Sequence, residues 1–447
     1  MFVDGLWYAT IANNLSNGLG SFWQPMLTET MAPEFYSHPP LVFGLQSIFF
    51  NVFGHGLFVE KIYATLTFLL TMLMIHKVWR EINFDNEKLK KLSFVPLILW
   101  FLCERTYVNF PNNLLECTQG VFILSSILFI LKGIRFNNRK SNVLFLIAGL
   151  FLALSFLSKG YTGLFPLIVI VLHQFYFRAF TFFTAVKYSI VLFFGLLFPL
   201  GLLFLLVPES LDFIINYTEL QVLGSLKGET YGNVRTNRFF IVKRFIESNI
   251  APMILVLLVS MISYFKFKTK GIFQNRKETL FFMTICLIGF LPYTIAKKQA
   301  AYYIITSVPY FAIALSFIFI RSESLIDKLK GSKIFTLVSI LVLITASINL
   351  YNIKDDYNRR NRVLLQDFDV LETQLEEIKG TTIGAITKRT HDSSYGYMMR
   401  MYSISMDTVN PYKYDVIFSN KDSVKDDTTT YLTKQTDTKE FNLFYKK

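Results

Sequence analysis

The residues best suited to chemistry in this 447-residue sequence are ionisable side chains at the ends of long apolar segments. One of them, Asp4, belongs to an N-terminal stretch without any basic residue before Lys61. Ionisable groups at membrane depth are costly and usually face a cavity or one another. We therefore expect a polar cavity, and one with both lysines and carboxylates suits a phosphate-bearing lipid and a general base. The set comprises Asp4, Glu60, Lys61, Glu104, Arg105, Glu116, Lys159, Glu209, Lys297 and Lys298, with the amides Asn112, Asn113 and Gln299.

The composition indicates a multi-pass membrane protein. Hydrophobic residues make up 52% of the chain and charged residues only 17%, whereas a soluble protein carries roughly a quarter charged residues. The net charge of +13 resides largely in short loops between apolar segments, which is typical of topology determination and argues against a nucleic-acid partner. Cys103, Cys117 and Cys286 lie in or beside apolar segments without metal-ligand spacing. We interpret them as core residues.

Ten apolar segments approach the length that is needed to span a bilayer. They are 57–76, 92–109, 111–132, 142–158, 161–177, 182–207, 251–266, 280–297, 302–321 and 333–351. Every second connection is basic and is expected to be cytoplasmic. Residues 1–56, the loop 208–250 and the tail after 351 then face outward, which places both termini outside. The loop departs from the charge pattern because it also carries Lys227, Arg235, Arg238, Lys243 and Arg244.

Two regions outside the spans have patterns of their own. Segment 38–53 is short for a span, and we predict a helix on the outer membrane surface with Pro39 and Pro40 in its first turn. The tail 352–447 is predicted to be a small α+β domain. Its helix would place Val363, Leu364, Phe368, Leu371 and Leu375 on one face. Its strands are predicted within 381–387, 414–419, 429–434 and 440–446. The fold class is thus a mainly α, polytopic membrane protein with a small C-terminal α+β domain.

Four stretches, in chain order, resemble the polyprenol-phosphate-sugar glycosyltransferases of the GT-C fold. This group includes the protein O-mannosyltransferases and the aminoarabinose transferases that modify lipid A. The stretches are the acid Asp4, "HPPL" at His38–Leu41, "LSKG" at Leu157–Gly160 and the Lys-to-Tyr-Tyr-to-Pro segment Lys298–Pro309. The resemblance covers roughly residues 1–350. It implies transfer of a sugar from a polyprenyl phosphate, expected to be undecaprenyl phosphate, to a cell-envelope acceptor on the periplasmic side of the bacterial inner membrane.

The resemblance also implies residue roles, beside which the residues leave structural alternatives open. Asp4 would be the general base that takes a proton from the acceptor, or it would be the N-cap of a helix. Lys159 would hold the donor phosphate as a point charge, or its ammonium would only reach the membrane surface. Lys298 has the same two interpretations. His38 would donate to phosphate or a carboxylate, or it would cap the helix that follows.

Other residues are expected to complete the substrate site. Tyr8 lies one turn after Asp4 on the same helical face, where it shapes the acceptor site or is structural. Arg235 and Arg238, in the outer loop, are candidates to grip the donor phosphate. Asn112 and Asn113 line the cavity or cap a helix. The predicted substrate-binding set is Lys159, Lys298, His38, Tyr8, Tyr302, Tyr303, Glu116 and Arg235.

This sequence departs from the family pattern at two points. The family has a membrane span before the acidic loop, whereas the acid here is the fourth residue. Either the natural start lies upstream of Met1, within an in-frame apolar stretch, or this chain lacks the first helix of the family. The family often has Asp followed by Glu, whereas this chain has Gly5 after Asp4. The missing carboxylate weakens the case for a divalent metal, and we expect neither a metal nor another cofactor. The alternatives are a transporter or flippase of a lipid-linked sugar, a surface-polysaccharide ligase or polymerase, and a non-catalytic scaffold.

Overall fold

The chain is mainly α-helical, with one small mixed sheet near its C-terminus. A computed structural model describes residues 2–228, 237–267, 275–320, 361–386, 393–420, 431–433 and 437–447, with isolated positions at 340, 343, 344 and 347. The predicted span 333–351 therefore lies outside the described stretches. Within them, every other predicted span is helical over most of its length.

Four described helices are long and apolar enough to cross a membrane, and a fifth crossing results if one bent pair counts as a single span. The four are α3 (Val59–Ile82), α7 (Leu115–Phe136), α8 (Arg139–Lys159) and α10 (Phe182–Leu206). The bent pair is α13 (Phe240–Ser248) and α14 (Ile250–Phe267), with an angle of 54° at the break. The total of ten spans stays a prediction.

Shorter helices make up the rest of the helical part. They are α1 (Val3–Ser16), α2 (Leu41–Phe53), α4 (Glu87–Lys90), α5 (Phe94–Phe101), α6 (Glu104–Asn109), α9 (Val169–Phe177), α11 (Pro208–Tyr217), α12 (Gly224–Lys227), α15 (Arg276–Phe290) and α16 (Val308–Phe319). The 3₁₀ segments Tyr161–Ile168, Leu291–Thr294 and Ala301–Thr306 extend α9, α15 and α16. Pro166 and Pro292 lie in two of these segments, where the missing N–H of proline disfavours a regular α-helix.

The helix predicted at 38–53 is present, but it begins after both prolines. The helix α2 begins at Leu41, with Pro40 as its N-cap, and ends at Phe53, with Gly54 as its C-cap at a φ of 81°. A proline disfavours helical geometry in the residue before it, so Pro40 prevents Pro39 from joining the first turn. The expectation that the prolines lie inside this turn was wrong.

The C-terminal region forms the predicted α+β domain. Its elements are α17 (Arg362–Glu377), β1 (Thr382–Ile386), α18 (Ser393–Tyr402), β2 (Ser405–Asp407), β3 (Val416–Asn420), β4 (Tyr431–Thr433) and β5 (Phe441–Lys446). The strand order is β2-β1-β3-β5-β4, with β1 parallel to both neighbours and β5 antiparallel to both of its own. The four predicted strands are present. The sequence analysis missed α18 and β2.

The predicted apolar face of α17 is correct except at its first position. Leu364, Phe368, Leu371 and Leu375 are buried, whereas Val363 is 37% exposed. The helix also buries Asp367, whose carboxylate accepts the backbone N–H groups of Glu440 (2.8 Å) and Phe441 (2.9 Å). This carboxylate therefore fixes the beginning of β5 on the helix.

The C-terminal domain packs against the N-terminal segment of the chain. A Cβ atom built on Gly396, in α18, would lie 3.0 Å from the Leu6 side chain in α1. The hydroxyl of Thr30 donates to the carbonyl of Met406 in β2 at 2.8 Å. The segment before α3 and the C-terminal domain therefore lie at the same end of the helical bundle.

We expect this shared end to be the outer one, because the basic connections lie at the other ends of the spans. A reporter enzyme that is active only in the periplasm, fused after Lys447, should be active. The matched control is the same reporter inserted between α7 and α8, after Asn137, where it should be silent. Activity of the second fusion alone would contradict the orientation.

Candidate active site

Asp4 lies in the first turn of α1 and accepts a hydrogen bond from a distant tyrosine. The Tyr302 hydroxyl donates to Asp4 Oδ2 at 2.8 Å. The N-cap of α1 is Phe2, and no side-chain hydrogen bond caps this helix. The alternative in which Asp4 is the helix N-cap was therefore wrong. The carboxylate is partly exposed and lies where the beginning of α1 meets the segment before α16.

The beginning of α1 is fixed to the loop before α7. The backbone N–H of Phe2 donates to Asn112 Oδ1 at 2.7 Å. A Cβ on Gly5 would collide with the Asn112 carbonyl, so only glycine permits this close approach. Asn113, at a φ of 55°, exchanges two hydrogen bonds of 3.0 Å with the buried amide of Gln46. The two asparagines therefore position α1 and are absent from the lining of the cavity described below.

The centre of the site is a buried ion pair between two helix ends. Lys159 Nζ contacts Glu116 Oε1, and Lys159 is 5% and Glu116 1% exposed. The same ammonium lies 5.3 Å from the ring centroid of Tyr302 and 4.9 Å from that of Tyr303. Both distances allow a cation–π attraction. The expectation that Lys159 merely reaches the membrane surface was wrong, because its charge is held inside the protein.

The backbone after Lys159 turns sharply at Gly160. This residue has a φ of 84°, which favours glycine, and a Cβ there would collide with the Tyr217 side chain. The Tyr217 hydroxyl donates to the carbonyl of Lys159 at 3.2 Å. The Gln119 amide donates to the carbonyl of Gly160 at 3.4 Å. The "LSKG" motif is thus a helix end that fixes the lysine.

A cavity of about 430 Å³ opens beside the ion pair. Its basic side chains are His38, Lys159 and Lys298, and its remaining wall is mostly aromatic and aliphatic. Its other lining residues include Tyr161, Thr162, Phe165, Tyr217, Gln221, Val222, Ser225, Leu226, Ile288, Pro292, Tyr293 and Tyr303. The combination of a basic end and an apolar body suits an amphipathic anion.

Lys298 is the cation of the cavity that is open to a ligand. Across the described part of the chain, its ammonium makes neither a hydrogen bond nor an ion pair. Burial lowers the pKa of Lys298, Asp4 opposes this shift, and the charge of Lys159 adds to it. A partly desolvated ammonium without a bound partner is a ready site for an anion.

His38 faces the same cavity as a neutral imidazole. Burial, with the positive charges of Lys159 and Lys298, holds the pKa of His38 well below its usual range. Its ring packs edge-on against Tyr8, with 5.7 Å between the centroids. No side-chain hydrogen bond caps α2, so the capping role considered for His38 was wrong. Tyr8 is buried behind His38 and is absent from the cavity lining, which agrees with its structural alternative.

Several charged residues of the predicted cluster lie elsewhere. Glu60 pairs with Arg400 of the C-terminal domain, and Glu104 pairs with its neighbour Arg105. Glu209 is exposed. Two lysines and one glutamine of the predicted cluster donate to backbone carbonyls. Lys61 donates to that of Pro111, Lys297 to that of Lys227, and Gln299 to that of Arg238.

Of the two arginines predicted to bind the donor phosphate, only Arg238 lies in the described part of the chain. Arg235 lies outside the described residues. Arg238 donates to the backbone carbonyl of Ile295 and is absent from the cavity lining. Its guanidinium therefore has a structural partner in this conformation.

The sequence analysis predicted Tyr303 but missed two other tyrosines of the aromatic wall of the site. Tyr217 and Tyr293 line the cavity, and the ring of Tyr293 stacks on that of Tyr303 with 4.9 Å between the centroids. Nothing in the spacing distinguishes these two among 23 tyrosines. Within the described ranges, no three His, Cys, Asp or Glu side chains gather as metal ligands.

Comparison with solved structures reveals the same architecture along nearly the whole chain. The structure of ArnT from Cupriavidus metallidurans bound to undecaprenyl phosphate matches with a TM-score of 0.65 and 12% identity, over 99% of this chain and 93% of that one. Its apo state matches with a TM-score of 0.66 and 11% identity, over 98% and 93% of the two chains.

A second protein matches more distantly. The archaeal oligosaccharyltransferase AglB from Archaeoglobus fulgidus, in complex with an inhibitory peptide and a dolichol-phosphate, has a TM-score of 0.51 and 12% identity, over 93% of this chain and 65% of that one. No family model matches the sequence, and no curated protein matches it significantly. At such identities the likeness shows the fold. The chain is a membrane-embedded protein with the GT-C fold, as the resemblance implied.

The Glu116–Lys159 pair generates a prediction about stability. Lys159→Met leaves Glu116 buried without its counter-ion and should cost about 3–5 kcal/mol, since breaking a buried pair strands a charge. The double variant Glu116→Leu with Lys159→Met should recover most of that loss. Thermal unfolding of the purified protein in detergent measures both, with Lys297→Met as the matched control. A single variant that unfolds at the same temperature as the double variant would contradict the buried pair.

Proposed function

We propose that this protein is a glycosyltransferase that uses a polyprenyl-phosphate-linked sugar as donor. The observation that carries the proposal is the juxtaposition of a carboxylate and a basic, mostly apolar cavity. Asp4 is hydrogen-bonded to Tyr302, whose ring lies against the Lys159 ammonium at the edge of that cavity. A base beside an anion-binding cavity is the minimum that transfer from a lipid phosphate requires.

The donor phosphate fits best at Lys298. The sequence favoured Lys159 for this role, but the positive charge of Lys159 already has Glu116 as its partner. Lys298 lines the same cavity and makes no ion pair in the described part of the chain. In the proposal Lys298 therefore contacts the phosphate directly. Lys159 contributes positive charge from the cavity wall, and the neutral His38 supplies a hydrogen-bond donor.

The remaining cavity wall suits the other two parts of such a donor. Tyr293 and Tyr303 present stacked rings, and aromatic faces pack well against the C–H faces of sugars. Leu226 and Ile288 belong to the apolar part of the lining, which fits an isoprenoid chain. The solved structure of ArnT contains undecaprenyl phosphate, and we extend that ligand class to this chain as part of the proposal.

The proposed reaction exchanges one bond at the anomeric carbon for another. Asp4 accepts the proton from a hydroxyl or amine of the acceptor, and the freed lone pair attacks the anomeric carbon. The carbon–oxygen bond to phosphate breaks, and the polyprenyl phosphate leaves with that electron pair. Lys298 stabilises the charge that develops on the leaving phosphate. Inversion at the anomeric carbon, a hexose or pentose as the sugar, and a periplasmic acceptor are further parts of the proposal.

This scheme predicts that Asp4→Asn abolishes transfer but preserves binding. Asparagine keeps the size of the side chain and can accept from Tyr302, but it cannot take a proton. Transfer should fall by at least about a hundredfold, the lower range for general base catalysis. The assay follows labelled sugar passing from a panel of undecaprenyl-phosphate-linked hexoses and pentoses to a cell-envelope extract. Binding of undecaprenyl phosphate is measured in parallel.

Asp212→Asn is the matched control, because Asp212 is exposed on α11 and should tolerate the change. If the protein were a flippase, the Asp4→Asn variant would bind and move the lipid-linked sugar as well as the wild-type protein does. Near-normal transfer by Asp4→Asn would refute the role of Asp4 and direct the search for the base to Glu116. Absence of transfer with every donor in the wild-type protein would favour the flippase.

Because of Lys298, donor binding should weaken at alkaline pH. The anion binds the protonated ammonium, whose pKa is lowered by burial, so affinity should decline as the pH rises and at a lower pH than for an exposed lysine. Lys298→Arg should remove this decline because the guanidinium stays charged. Lys298→Ala should weaken binding of undecaprenyl phosphate at least about tenfold, the lower end for a hydrogen bond to a charged group. Lys297→Ala is the control, and an unchanged affinity of Lys298→Ala would exclude Lys298 from the phosphate site.

A further inference from the structure

A buried guanidinium of the C-terminal domain contacts the helical bundle without any part in the proposed chemistry. Arg400, near the end of α18, is 3% exposed, and Glu60, near the start of α3, is 1% exposed. Their side chains form an ion pair at 2.9 Å. The guanidinium also donates to the carbonyls of His55 (3.1 Å) and Gly56 (3.0 Å). Its carbon Cζ lies 4.9 Å from the ring centroid of Phe50.

This arrangement specifies a geometry more than it adds stability. Arg400 Nε and Glu60 Oε1 are buried without a hydrogen-bond partner among the described residues. A buried ion pair whose polar atoms are incompletely satisfied gains little, because desolvation offsets the attraction. However, the planar guanidinium binds a carboxylate and two carbonyls in fixed directions. It therefore holds α18 in one position on the turn between α2 and α3.

The contacts of Arg400 lead to the helix that carries Asp4. His55, whose carbonyl accepts from Arg400, uses its ring Nδ1 to contact Asn13 Oδ1, near the end of α1, at 2.7 Å. One turn before Arg400, Gly396 brings α18 against Leu6 of α1, with 3.0 Å from a built Cβ to the leucine side chain. Leu6 is two residues from Asp4. Both ends of α1 thus rest on elements that Arg400 fixes.

We propose that Arg400 is a positioning residue that sets the Asp4 carboxylate against the reacting atoms. This inference rests on the proposed function, in which Asp4 is the general base. Arg400 acts through α18 and the His55–Gly56 turn, and it does not touch the substrate. Lys298 lies on a different element of the chain. Loss of Arg400 should therefore slow the chemical step and leave binding of the donor phosphate unchanged.

The test separates positioning from stability with three variants of the full-length protein. Arg400→Met strands the Glu60 charge and should lower the yield of folded protein. The double variant Glu60→Met with Arg400→Met removes both charges and should restore the folded yield, but it still lacks the contacts to His55 and Gly56. The control Asp367→Asn weakens the interior of the C-terminal domain, where Asp367 accepts from Glu440 and Phe441, and leaves the docking contacts intact.

Two measurements are made on each variant. The first is transfer from undecaprenyl-phosphate-linked sugars to a cell-envelope extract, as kcat and as KM for the donor. We expect the double variant to have a kcat lower by about tenfold, since misplacing a catalytic group slows the chemical step, at an unchanged KM. Asp367→Asn should retain the wild-type kcat per folded molecule. A wild-type kcat in the double variant, or an equal change in KM, would overturn the proposal.

The second measurement is independent of transfer. Hydrogen exchange of the backbone amides of Val3–Ser16 should be faster in the double variant than in the wild type, whereas that of Leu115–Phe136 should be unchanged. Unchanged exchange in Val3–Ser16 would overturn the positioning role. If the wild-type protein transfers no sugar, the proposed function fails, while this measurement still decides whether Arg400 fixes α1.

Discussion

The requirement that a buried charge must have a partner shapes this molecule most visibly at Glu116 and Lys159. Glu116 lies in the first turn of α7 and Lys159 ends α8, and a short turn joins the other ends of these two helices. An antiparallel hairpin therefore brings residues 43 positions apart into contact. The chain turns away at Gly160, and the rings of Tyr302 and Tyr303 pack against the ammonium. The pair thus ties the hairpin to the segment that leads into α16.

A second buried pair, Glu60–Arg400, has a different consequence. Both pairs leave one carboxylate oxygen without a partner among the described residues, Glu60 Oε1 and Glu116 Oε2. Neither is therefore an efficient source of stability. Glu116 holds a cation beside the cavity, whereas Arg400 joins the C-terminal domain to the bundle. Each pair is better understood as a device that fixes relative position.

The helix α1 illustrates how the surroundings determine a local structure. It is buried from Gly5 to Asn14 except at Trp7 and has little amphipathic character, as expected for a helix enclosed on several sides. The helix α2 covers one side, with Phe43 against Tyr8, and α18 covers another. Gly5 permits the close approach to Asn112. The carboxylate of Asp4 is consequently carried by a rigid element and not by a free loop, which favours a defined geometry.

The sequence by itself determined the class of fold and singled out candidate site residues. Apolar length fixes which segments are embedded, and hydrophobic periodicity identified α17 and four strands of the C-terminal domain. Asp4, Lys159 and Lys298 were singled out because they are charges in or beside apolar segments and belong to the stretches that carry the family resemblance. The tertiary structure alone decided that Lys159 pairs with Glu116, that Asn112 and Asn113 fix α1, and that Arg400 reaches Glu60 across 340 positions. Partner choice depends on which helix ends meet in space, and the spacing of residues along one chain does not encode that directly.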